Sequence, residues 1–261
     1  MKKEKDKYSI QAVENALDVL EQFKGEKAEL GITELSRNLS LHKNNVFRLL
    51  ATLESKGYIE QNRNNEHYRL GIKSLELGKA FLSHTGLIKV ALERLEKLCS
   101  EVKETAYLGI MREHQVFYIE DAEANQALRV ASRLGTRLTP LCTAIGKIIL
   151  AHYDEDEREK VIENNPIVRF TDNTILTKEK LLEELDMIKE RGYAVDNEEL
   201  DDGVKCIAGP VFNYNDQIVA GVSVSGPSSR LTAEQIENFY SKKVMECSRN
   251  LSIAIGYTGY S

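Results

Sequence analysis

The segment LSLHKNNVFRLLATLESKGYIEQNRNNEHYRLG, residues 39–71, gives the clearest indication of how the first part of the chain folds. Its apolar residues recur at helical spacing and predict a helix over residues 43–55, closed by Gly57 as a C-terminal cap. Two short alternating runs follow, joined by Asn64-Asn65, a pair that tolerates the positive φ of a tight turn. The pattern predicts a helix followed directly by a β-hairpin.

The residues before this stretch predict two more helices. IQAVENALDVLEQF places Ile10, Val13, Leu17 and Leu20 on one helical face. GITELSRNLSL predicts a second helix with Thr33 as its N-cap, followed by a short turn. The order helix, helix, turn, helix, hairpin is that of a winged helix-turn-helix.

The outer side of the helix over residues 43–55 carries side chains that a solvated helix rarely combines. An exposed Phe among Asn and Arg suits a DNA major groove, where Asn pairs with adenine, Arg pairs with guanine and Phe touches thymine methyl groups. Cations of the hairpin would reach phosphates. An ordinary solvated face beside a plain hairpin is the alternative interpretation. The predicted DNA-binding residues are Lys43, Asn44, Asn45, Phe47, Arg48 and Thr52 on the helix and Arg63, His67 and Arg69 in the hairpin.

Charge is distributed unevenly along the 261 residues. The net charge is −6, but the first 80 residues carry +2 and the remainder carry −8, and residues 37–73 hold seven basic and three acidic side chains. A local basic patch on an acidic chain is typical of a small nucleic-acid-binding head with a separate body. No apolar run approaches the ~20 residues that span a bilayer, and the N-terminus lacks the apolar region of a signal peptide. We therefore expect a cytoplasmic protein that does not contact membranes.

The sequence contains no recognisable catalytic or metal-binding motif. The four cysteines lie far apart without a CxxC pair, so we expect free thiols, no metal site and no cofactor. Cys206 or Ser223 as nucleophile, with His114 or His152 as base, is the enzymatic alternative. No nucleophile elbow, pair of metal ligands or phosphate-binding loop accompanies these residues. We expect a protein that is not an enzyme.

The second part of the chain predicts an α+β domain built on an antiparallel sheet. Two strands are expected around a polar turn at Glu113-His114, and LRVASRLGTRLTPL is expected to be irregular with a strand at its start. A largely apolar helix starts near Thr143, and the last helix opens with the capping box Thr232-x-x-Gln235. Further strands are expected at residues 193–197, 205–213 and 217–226, and charged helices at residues 154–163 and 177–191.

Three longer segments carry a family resemblance. SIQAVENALDVLEQF through GITELSRNLSLHKNNVFRLLATLESKGYIEQNRNNEHYRLG resembles the DNA-binding domain of the IclR-type bacterial transcriptional regulators. ALRVASRLGTRLTPLCTAIGKIILA and RGYAVDNEELDDGVKCIAGPVFNYNDQIVAGVSVSGPSSRLT resemble two stretches of that family's effector-binding domain. The resemblance implies an α+β protein: an N-terminal winged helix-turn-helix, residues 1–72, joined by a linker helix, residues 73–85, to a GAF-like effector-binding domain with a central antiparallel sheet, residues 86–261.

The resemblance also implies the partners of such a protein: double-stranded operator DNA, a small carboxylate effector and further copies of the chain, as a homodimer or homotetramer. Two heads are needed to read a two-fold operator, which favours at least a dimer. The sequence leaves open which acid is bound and whether the protein represses or activates. A GAF-type small-molecule sensor acting through protein contacts, without DNA binding, is the alternative function.

The residues of the effector pocket are implied by the resemblance and supported in part by the pattern. VSVSG alternates, so its two serines share one strand face, where their hydroxyl groups can donate to a carboxylate. The helix starting near Thr143 offers free N–H groups and a positive dipole end to an anion. Serines that merely allow close packing, Cys206 as a small buried hydrophobe and Asp196 as a turn acid remain the alternatives. The implied pocket residues are Ala127, Val130, Ala144, Ile145, Asp196, Cys206, Ser223 and Ser225.

Overall fold

The computed structural model describes residues 9–24, 27–84 and 86–259. The described residues of the first of its two units form four α-helices and a hairpin. The chain divides into Met1–His84 and Thr85–Ser261. In the first unit, Leu30 bridges to Tyr68 and adds a third short segment to the hairpin. The elements are α1 (Gln11–Glu21, continued by a 3-10 turn at Gln22–Lys24), α2 (Ile32–Asn38), α3 (Lys43–Ser55), β1 (Ile59–Gln61), β2 (Tyr68–Leu70) and α4 (Ile72–His84).

The core of the first unit collects one or more apolar side chains from each of α1, α2 and α3. Val19 of α1, Leu35 of α2 and Val46 of α3 are fully buried. Leu50, one helical turn beyond Val46, is also fully buried, whereas Leu49 beside it is only partly buried. The spacing of the apolar residues in α3 therefore buries one narrow face of the helix and leaves its other faces at the surface.

The end of α3 is closed as predicted by Gly57, which adopts a left-handed φ of 78°. The N–H of Tyr58 donates to the carbonyl of Leu53 at 3.0 Å and that of Gly57 donates to Glu54 at 2.8 Å, the pair of bonds of a Schellman motif. The chain leaving β2 passes close by, because a Cβ on Gly71 would lie 2.4 Å from the carbonyl oxygen of Gly57. Glycine at position 71 thus permits the contact between the end of α3 and the start of α4.

Two local predictions for the first unit are wrong. The α2 helix begins at Ile32 with Gly31 as N-cap, so Thr33 lies inside the helix. The positive φ of the hairpin loop belongs to Glu66, at 60°, and not to the Asn64-Asn65 pair. The loop is longer than a two-residue turn, and its asparagines act through their side chains: the Asn65 carboxamide oxygen accepts from the N–H of His67 at 3.0 Å.

The second unit is built on a six-stranded antiparallel sheet. The strands are β3 (Thr105–Arg112), β4 (Gln115–Ala122), β5 (Arg137–Leu138), β6 (Ala194–Asn197), β7 (Val204–Phe212) and β8 (Ile218–Pro227). Their order across the sheet is β5-β4-β3-β8-β7-β6. The predicted turn at Glu113-His114 joins β3 to β4, with both residues at positive φ.

Helices cover both faces of this sheet. A Cβ on Gly221 of β8 would meet Ile145 and Ile148 at 3.1 Å, whereas one on Gly209 of β7 would meet Ser248 at 2.7 Å. Since Gly221 and Gly209 point to opposite faces, the helix carrying Ile145 packs on one face and the C-terminal helix on the other. The helices are α5 (Gly86–Val102), α6 (Ala144–His152), α7 (Glu155–Glu163), α8 (Lys178–Arg191), α9 (Ala233–Gln235) and, after a π-helical stretch at Ile236–Tyr240, α10 (Ser241–Ala254).

The expected strand at the start of LRVASRLGTRLTPL is wrong. The carbonyl of Val130 accepts from the Thr105 hydroxyl at 2.8 Å, and that of Ala131 accepts from the Tyr107 hydroxyl at 2.7 Å. Because side chains take up these carbonyl groups, the segment lies across the sheet and does not extend its ladder. Strand pairing in this segment is confined to Arg137–Leu138.

The predicted threonine caps of two helices in the second unit are confirmed. The Thr143 hydroxyl accepts from the N–H of Gly146 at 3.2 Å and caps α6. Thr232 caps the last helical segment in the same way, through the N–H of Gln235 at 3.3 Å.

The four cysteines are free thiols, as predicted. No helix among the described residues combines the length and the apolar character needed to cross a bilayer.

Candidate functional site

The outer side of α3 presents the polar and aromatic side chains that the sequence singles out. Phe47 is 55% exposed, and the Thr52 hydroxyl donates to the carbonyl of Arg48 at 2.8 Å. Within residues 9–24, 27–84 and 86–259, the side chains of this surface other than Thr52 make no hydrogen bond or ion pair inside the protein. They are therefore open to an external ligand. The exposed surface consists of Lys43, Asn44, Asn45, Phe47, Arg48 and Thr52.

The three basic residues of the hairpin differ in their surroundings. Arg63 is exposed at the loop and, in the part of the chain that the structure describes, has no ion-pair partner. The Arg69 Nε atom lies 2.6 Å from Glu60 Oε1, directly across the hairpin. The His67 ring covers Gly31, where an added Cβ would meet it at 3.1 Å. Arg63 is thus the more available cation, whereas Arg69 already has a carboxylate beside it.

Glu29 organises the hairpin loop, a role that the sequence did not indicate. The Asn62 side-chain amide donates to Glu29 Oε1 at 2.9 Å and that of Asn65 donates to Oε2 at 2.8 Å. These hydrogen bonds, that of Asn65 first, hold the pKa of Glu29 below its usual range. A carboxylate outside the hairpin therefore fixes the shape of the loop that carries Arg63.

In the second unit, four polar residues form a row across neighbouring strands. Asp196 of β6 is the register partner of Cys206 on β7, which pairs in turn with Ser225 on β8 and Ser225 with Thr105 on β3. Directly paired residues share a sheet face, so these side chains lie on the same side as Gly221, toward α6. The Ser225 hydroxyl donates to Cys206 Sγ at 3.0 Å.

Ser223 and Ser225 share this face and are buried, while Val222 and Val224 point to the opposite face as predicted. Ser223 is the register partner of Tyr107 on β3. Two hydroxyl groups and one thiol therefore lie side by side beneath α6. The burial of these small side chains fits a packing role as well as a ligand site.

The start of α6 packs over these strand residues, and together they form one layer between the sheet and the helix. Ala144 and Ile145 belong to the same buried cluster as Tyr107, and Val130 and Cys206 pack against it. The first N–H groups of a helix have no partner within the helix, and the Thr143 side chain serves that of Gly146. Seven of the eight implied pocket residues are thus brought to one layer of the second unit. Ala127 is the exception, because it is exposed in the loop that follows β4.

A buried ion pair forms one wall of the layer. Lys147 of α6 is fully buried; its Nζ donates to the carbonyl of Val195 at 2.6 Å and is paired with Glu199. Among the described residues, Glu199 Oε2 is the buried side-chain oxygen without a hydrogen-bond partner. Sequence reasoning missed this pair, because a lysine within an apolar helix and an acid in an acidic run each carry no positional signal alone.

Asp196 combines both roles that the sequence left open for it. Its Oδ1 accepts from the N–H of Glu199 at 2.7 Å and so caps the turn after β6, yet its side chain is buried in the polar row. Burial, with the neighbouring Glu199 charge, raises the pKa of Asp196 to about 7. A carboxyl group in this state can accept or donate a hydrogen bond near neutral pH.

Arg133 is a second residue that sequence reasoning missed. Its Nη2 lies 2.7 Å from Asp201 Oδ2, and its side chain is 20% exposed. The sequence signal was an arginine in the segment ALRVASRLG, which resembles the family's pocket stretch, but a basic residue in an irregular segment is ordinarily solvated. The described residues of the second unit therefore hold a cation near the polar row that the predicted site lacked.

Comparison with known proteins places both units in one family. Residues 12–63 match the model described as the IclR helix-turn-helix domain, and residues 79–253 match the model described as bacterial transcriptional regulator IclR C-terminal. The HTH-type transcriptional regulators KdgR and XynR of Escherichia coli strain K12 are 37% and 36% identical, over 97% and 95% of this chain and 95% and 98% of theirs.

Solved structures agree in fold. The Thermotoga maritima IclR has a TM-score of 0.80 and 30% identity, with 95% of this chain and 100% of that one covered. An IclR homolog from Microbacterium hydrocarbonoxydans, complexed with 4-hydroxybenzoate, has a TM-score of 0.83 and 21% identity, covering 94% and 98%.

The helix-turn-helix match favours DNA binding over a sensor without it, and homologues named as transcriptional regulators are not enzymes. The exposed surface of α3 lies within the matched residues. The chain belongs to the IclR family of DNA-binding bacterial transcriptional regulators.

Proposed function

We propose that a small hydroxy acid or keto-acid hydrate binds between the sheet and α6 of the second unit and thereby alters operator binding by α3 and the hairpin. The observation that carries this proposal is the row of Asp196, Cys206 and Ser225 beneath the N-terminus of α6, in which Asp196 and Ser225 are buried and Cys206 is partly buried. Buried polar side chains that converge under a helix start are typical of a small-molecule site.

The DNA contacts are assigned by exposure and chemistry. The side chains of Asn44 and Arg48 carry the groups for bidentate contacts with adenine and guanine, and exposed Phe47 can meet thymine methyl groups. Lys43, Asn45 and Thr52 flank them on the same exposed side of α3. We assign to the phosphate backbone the hairpin residues Arg63, His67 and Arg69. Contacts with phosphates position a protein along the duplex but do not distinguish one base pair from another.

The carboxylate of the effector is assigned to the serines. The hydroxyl groups of Ser223 and Ser225 would donate to it, and the backbone N–H groups of Ala144 and Ile145 would close the other side. A helix N-terminus favours a negative charge. Ser225 already donates to Cys206, so binding exchanges a weak thiol acceptor for a charged one, which makes a stronger hydrogen bond.

The opposite end of the site favours a ligand with a hydroxyl group. The charge of Glu199 is balanced by Lys147, whereas ionised Asp196 would repel a second carboxylate beside it. A hydroxyl group can donate to either, including the Glu199 oxygen that is without a partner among the described residues. The 4-hydroxybenzoate held by the Microbacterium homolog is a hydroxy-substituted carboxylic acid, so this fold is compatible with that ligand class.

Pairing of two heads is assigned to α1. Ile10, Val13 and Leu17 are 65%, 53% and 56% exposed and lie along one side of the helix start, whereas Val19 faces the core. Three large apolar side chains in a stripe exceed what a solvated helix ordinarily shows. A second copy with the same stripe would cover both, giving the two-fold pair of heads that a palindromic operator requires.

The experiment measures binding to an operator selected from random-sequence DNA, by the full-length protein, with and without D-glycerate, D-gluconate or pyruvate. At least one acid should change operator affinity. The variant Ser223→Ala/Ser225→Ala should keep its acid-free affinity and lose tenfold or more in acid affinity, since each hydrogen bond to a charged group contributes ~1.5–3 kcal/mol.

The variant Ser228→Ala/Ser229→Ala, which removes two hydroxyl groups just beyond β8, is the matched control. A parent protein that responds to none of the acids would contradict the proposed effector class. A response that persists in the Ser223 and Ser225 variant would remove these serines from the site and leave close packing as their role.

A further inference from the structure

The loop between β4 and β5 is held firmly against the sheet on both sides of Arg133. Thr105 and Tyr107 bind the carbonyl groups of Val130 and Ala131, as described above. After Arg133, the N–H of Gly135 donates to the carbonyl of Tyr118 at 2.9 Å, and the N–H of Tyr118 donates to Thr136 at 3.1 Å. The position of Arg133 is therefore set by the sheet and not by the loop alone.

The guanidinium group of Arg133 is largely buried and only partly used. Within the described residues, its one hydrogen bond is the 2.7 Å contact from Nη2 to Asp201 Oδ2. A guanidinium group has five N–H donors, so Arg133 keeps donors that no group among the described residues accepts. The side chain of Asp201, by contrast, is 49% exposed. Arg133 is thus the buried partner of this pair and Asp201 the replaceable one.

The positive charge of Arg133 influences the pKa of side chains in and beside the polar row. Burial raises the pKa of Tyr107, Tyr118 and Cys206, and the Arg133 charge opposes that rise in all three. The rings of Tyr107 and Tyr118 meet edge to face at 5.6 Å and belong to the cluster beneath α6. The layer therefore has the cation Arg133 on one side and the carboxyl group of Asp196, beside the Lys147–Glu199 ion pair, on the other.

The loop that carries Asp201 is anchored independently of Arg133. The Thr171 hydroxyl donates to the carbonyl of Glu198 at 2.6 Å and that of Thr174 donates to Glu199 at 2.7 Å. The N–H of Gly203 donates to Glu198 Oε2 at 2.7 Å. Loss of the contact between Arg133 and Asp201 would therefore leave the end of β6 in place.

We propose that Arg133 binds the carboxylate of the effector jointly with the serines, and that this carboxylate takes the place of Asp201. The inference rests on the proposed effector function and adds an exchange of one carboxylate for another. Arginine binds carboxylates best by donating two parallel N–H···O bonds, whereas Asp201 accepts one from Arg133 here. The acid thereby releases the side chain of Asp201, while the loop that carries it keeps its own anchors.

The test is calorimetric titration of the full-length protein with D-gluconate and D-glycerate, and with their neutral counterparts D-glucitol and glycerol. The parent should bind an acid and not its neutral counterpart. Arg133→Gln should bind the acid at least tenfold more weakly. Asp201→Asn should bind it several-fold more tightly, because the competing carboxylate is gone.

Arg129→Gln is the matched control, since Arg129 lies in the same loop and pairs at 2.5 Å with Glu123 in the same manner. Its acid affinity should equal that of the parent. If Arg133→Gln fails to fold, Arg133→Lys keeps the charge without the planar fork and should bind the acid with reduced affinity.

Three results would overturn the inference. Equal acid affinity in Arg133→Gln, Arg129→Gln and the parent would remove Arg133 from the site while leaving the proposed effector function intact. Weaker binding by Asp201→Asn would show that Asp201 supports the site and does not compete for it. A parent that binds operator but none of the acids would overturn the effector function and this inference together.

Discussion

Asp196 is the residue whose protonation should be visible in the stability of the whole protein. Its pKa is about 7 when folded, against an ordinary 3.8. The folded state thus holds the proton more tightly than the unfolded state. Stability from this group is fully present below the ordinary pKa, declines as the pH rises toward 7, and is lost above it.

Asp196→Asn should remove this pH dependence, because asparagine keeps the acceptor for the Glu199 N–H and carries no charge. The unfolding free energy of the variant relative to the parent should grow by roughly 2–3 kcal/mol between pH 5 and pH 8. Thermal or urea unfolding at the two pH values measures this difference. Asp186→Asn, on the exposed side of α8, is the control; a constant difference for Asp196→Asn would mean an ordinary pKa.

Base reading should reside in two side chains of α3. Asn44→Ala and Arg48→Ala should each lower specific operator affinity by ~1–3 kcal/mol and relax the preference at one base pair, because each loses a bidentate contact. Competition binding at constant salt with single-base operator variants measures both effects. Arg112→Ala, an exposed arginine of the second unit, serves as control. Two α3 variants that bind like the parent would refute the assignment.

Single residues were predictable where their signal is local. Thr143 caps α6 and Gly57 closes α3 because capping depends on a few consecutive residues. Arg133 and Lys147 escaped prediction, because each acquires its role from a partner far away in sequence, at Asp201 and Glu199. No spacing rule connects such pairs, and only the sheet topology brings them together.

At the level of secondary-structure elements, ion pairing within the hairpin should make Arg63 and Arg69 contribute differently to DNA binding. Arg63→Ala should weaken binding to operator and random DNA alike and lower the slope of log affinity against log salt by about one. Arg69→Ala should have a smaller effect on both, since its guanidinium already lies beside Glu60. Binding measured across a salt series distinguishes the two.

Lys160→Ala, which removes one exposed charge from the second unit, is the control for that series. Equal slopes for Arg63→Ala and Arg69→Ala would show that the pair with Glu60 opens on DNA. A loss confined to one operator base would instead assign sequence reading to the hairpin.

Elements were predicted well where hydrophobic periodicity is long, and poorly where tertiary contacts decide. The α3, α7 and α8 helices match their patterns closely. The β-branched and apolar residues of LRVASRLGTRLTPL favour an extended strand. That strand does not form, because the hydroxyl groups of Thr105 and Tyr107 donate to the carbonyl groups of the segment. The row of Asp196, Cys206 and Ser225 followed from the family resemblance, and strand alternation alone could not have aligned three strands.

At the scale of the whole molecule, we expect a dimer at least. Sedimentation at micromolar concentration should show no monomer for the parent, because one head offers too little DNA contact for a specific site. Val13→Glu/Leu17→Glu should shift the protein toward smaller species and weaken operator binding, since charges in an apolar contact are costly. Met187→Glu, at an exposed apolar position of α8, is the control. An unchanged mass for the α1 variant would place pairing elsewhere.

The contact between Gly57 and Gly71 determines where DNA-binding heads can be exchanged between regulators of this kind. The N–H of Gly71 donates to Tyr58 at 2.8 Å, that of Lys73 donates to Gly57 at 3.2 Å, and the Ser74 hydroxyl donates to Tyr58 at 2.9 Å. The first turn of α4 is thereby bonded to the residues that end α3. A chimeric regulator joined directly after β2 would sever these bonds, whereas one joined after Ser74 would transfer the head with its own support.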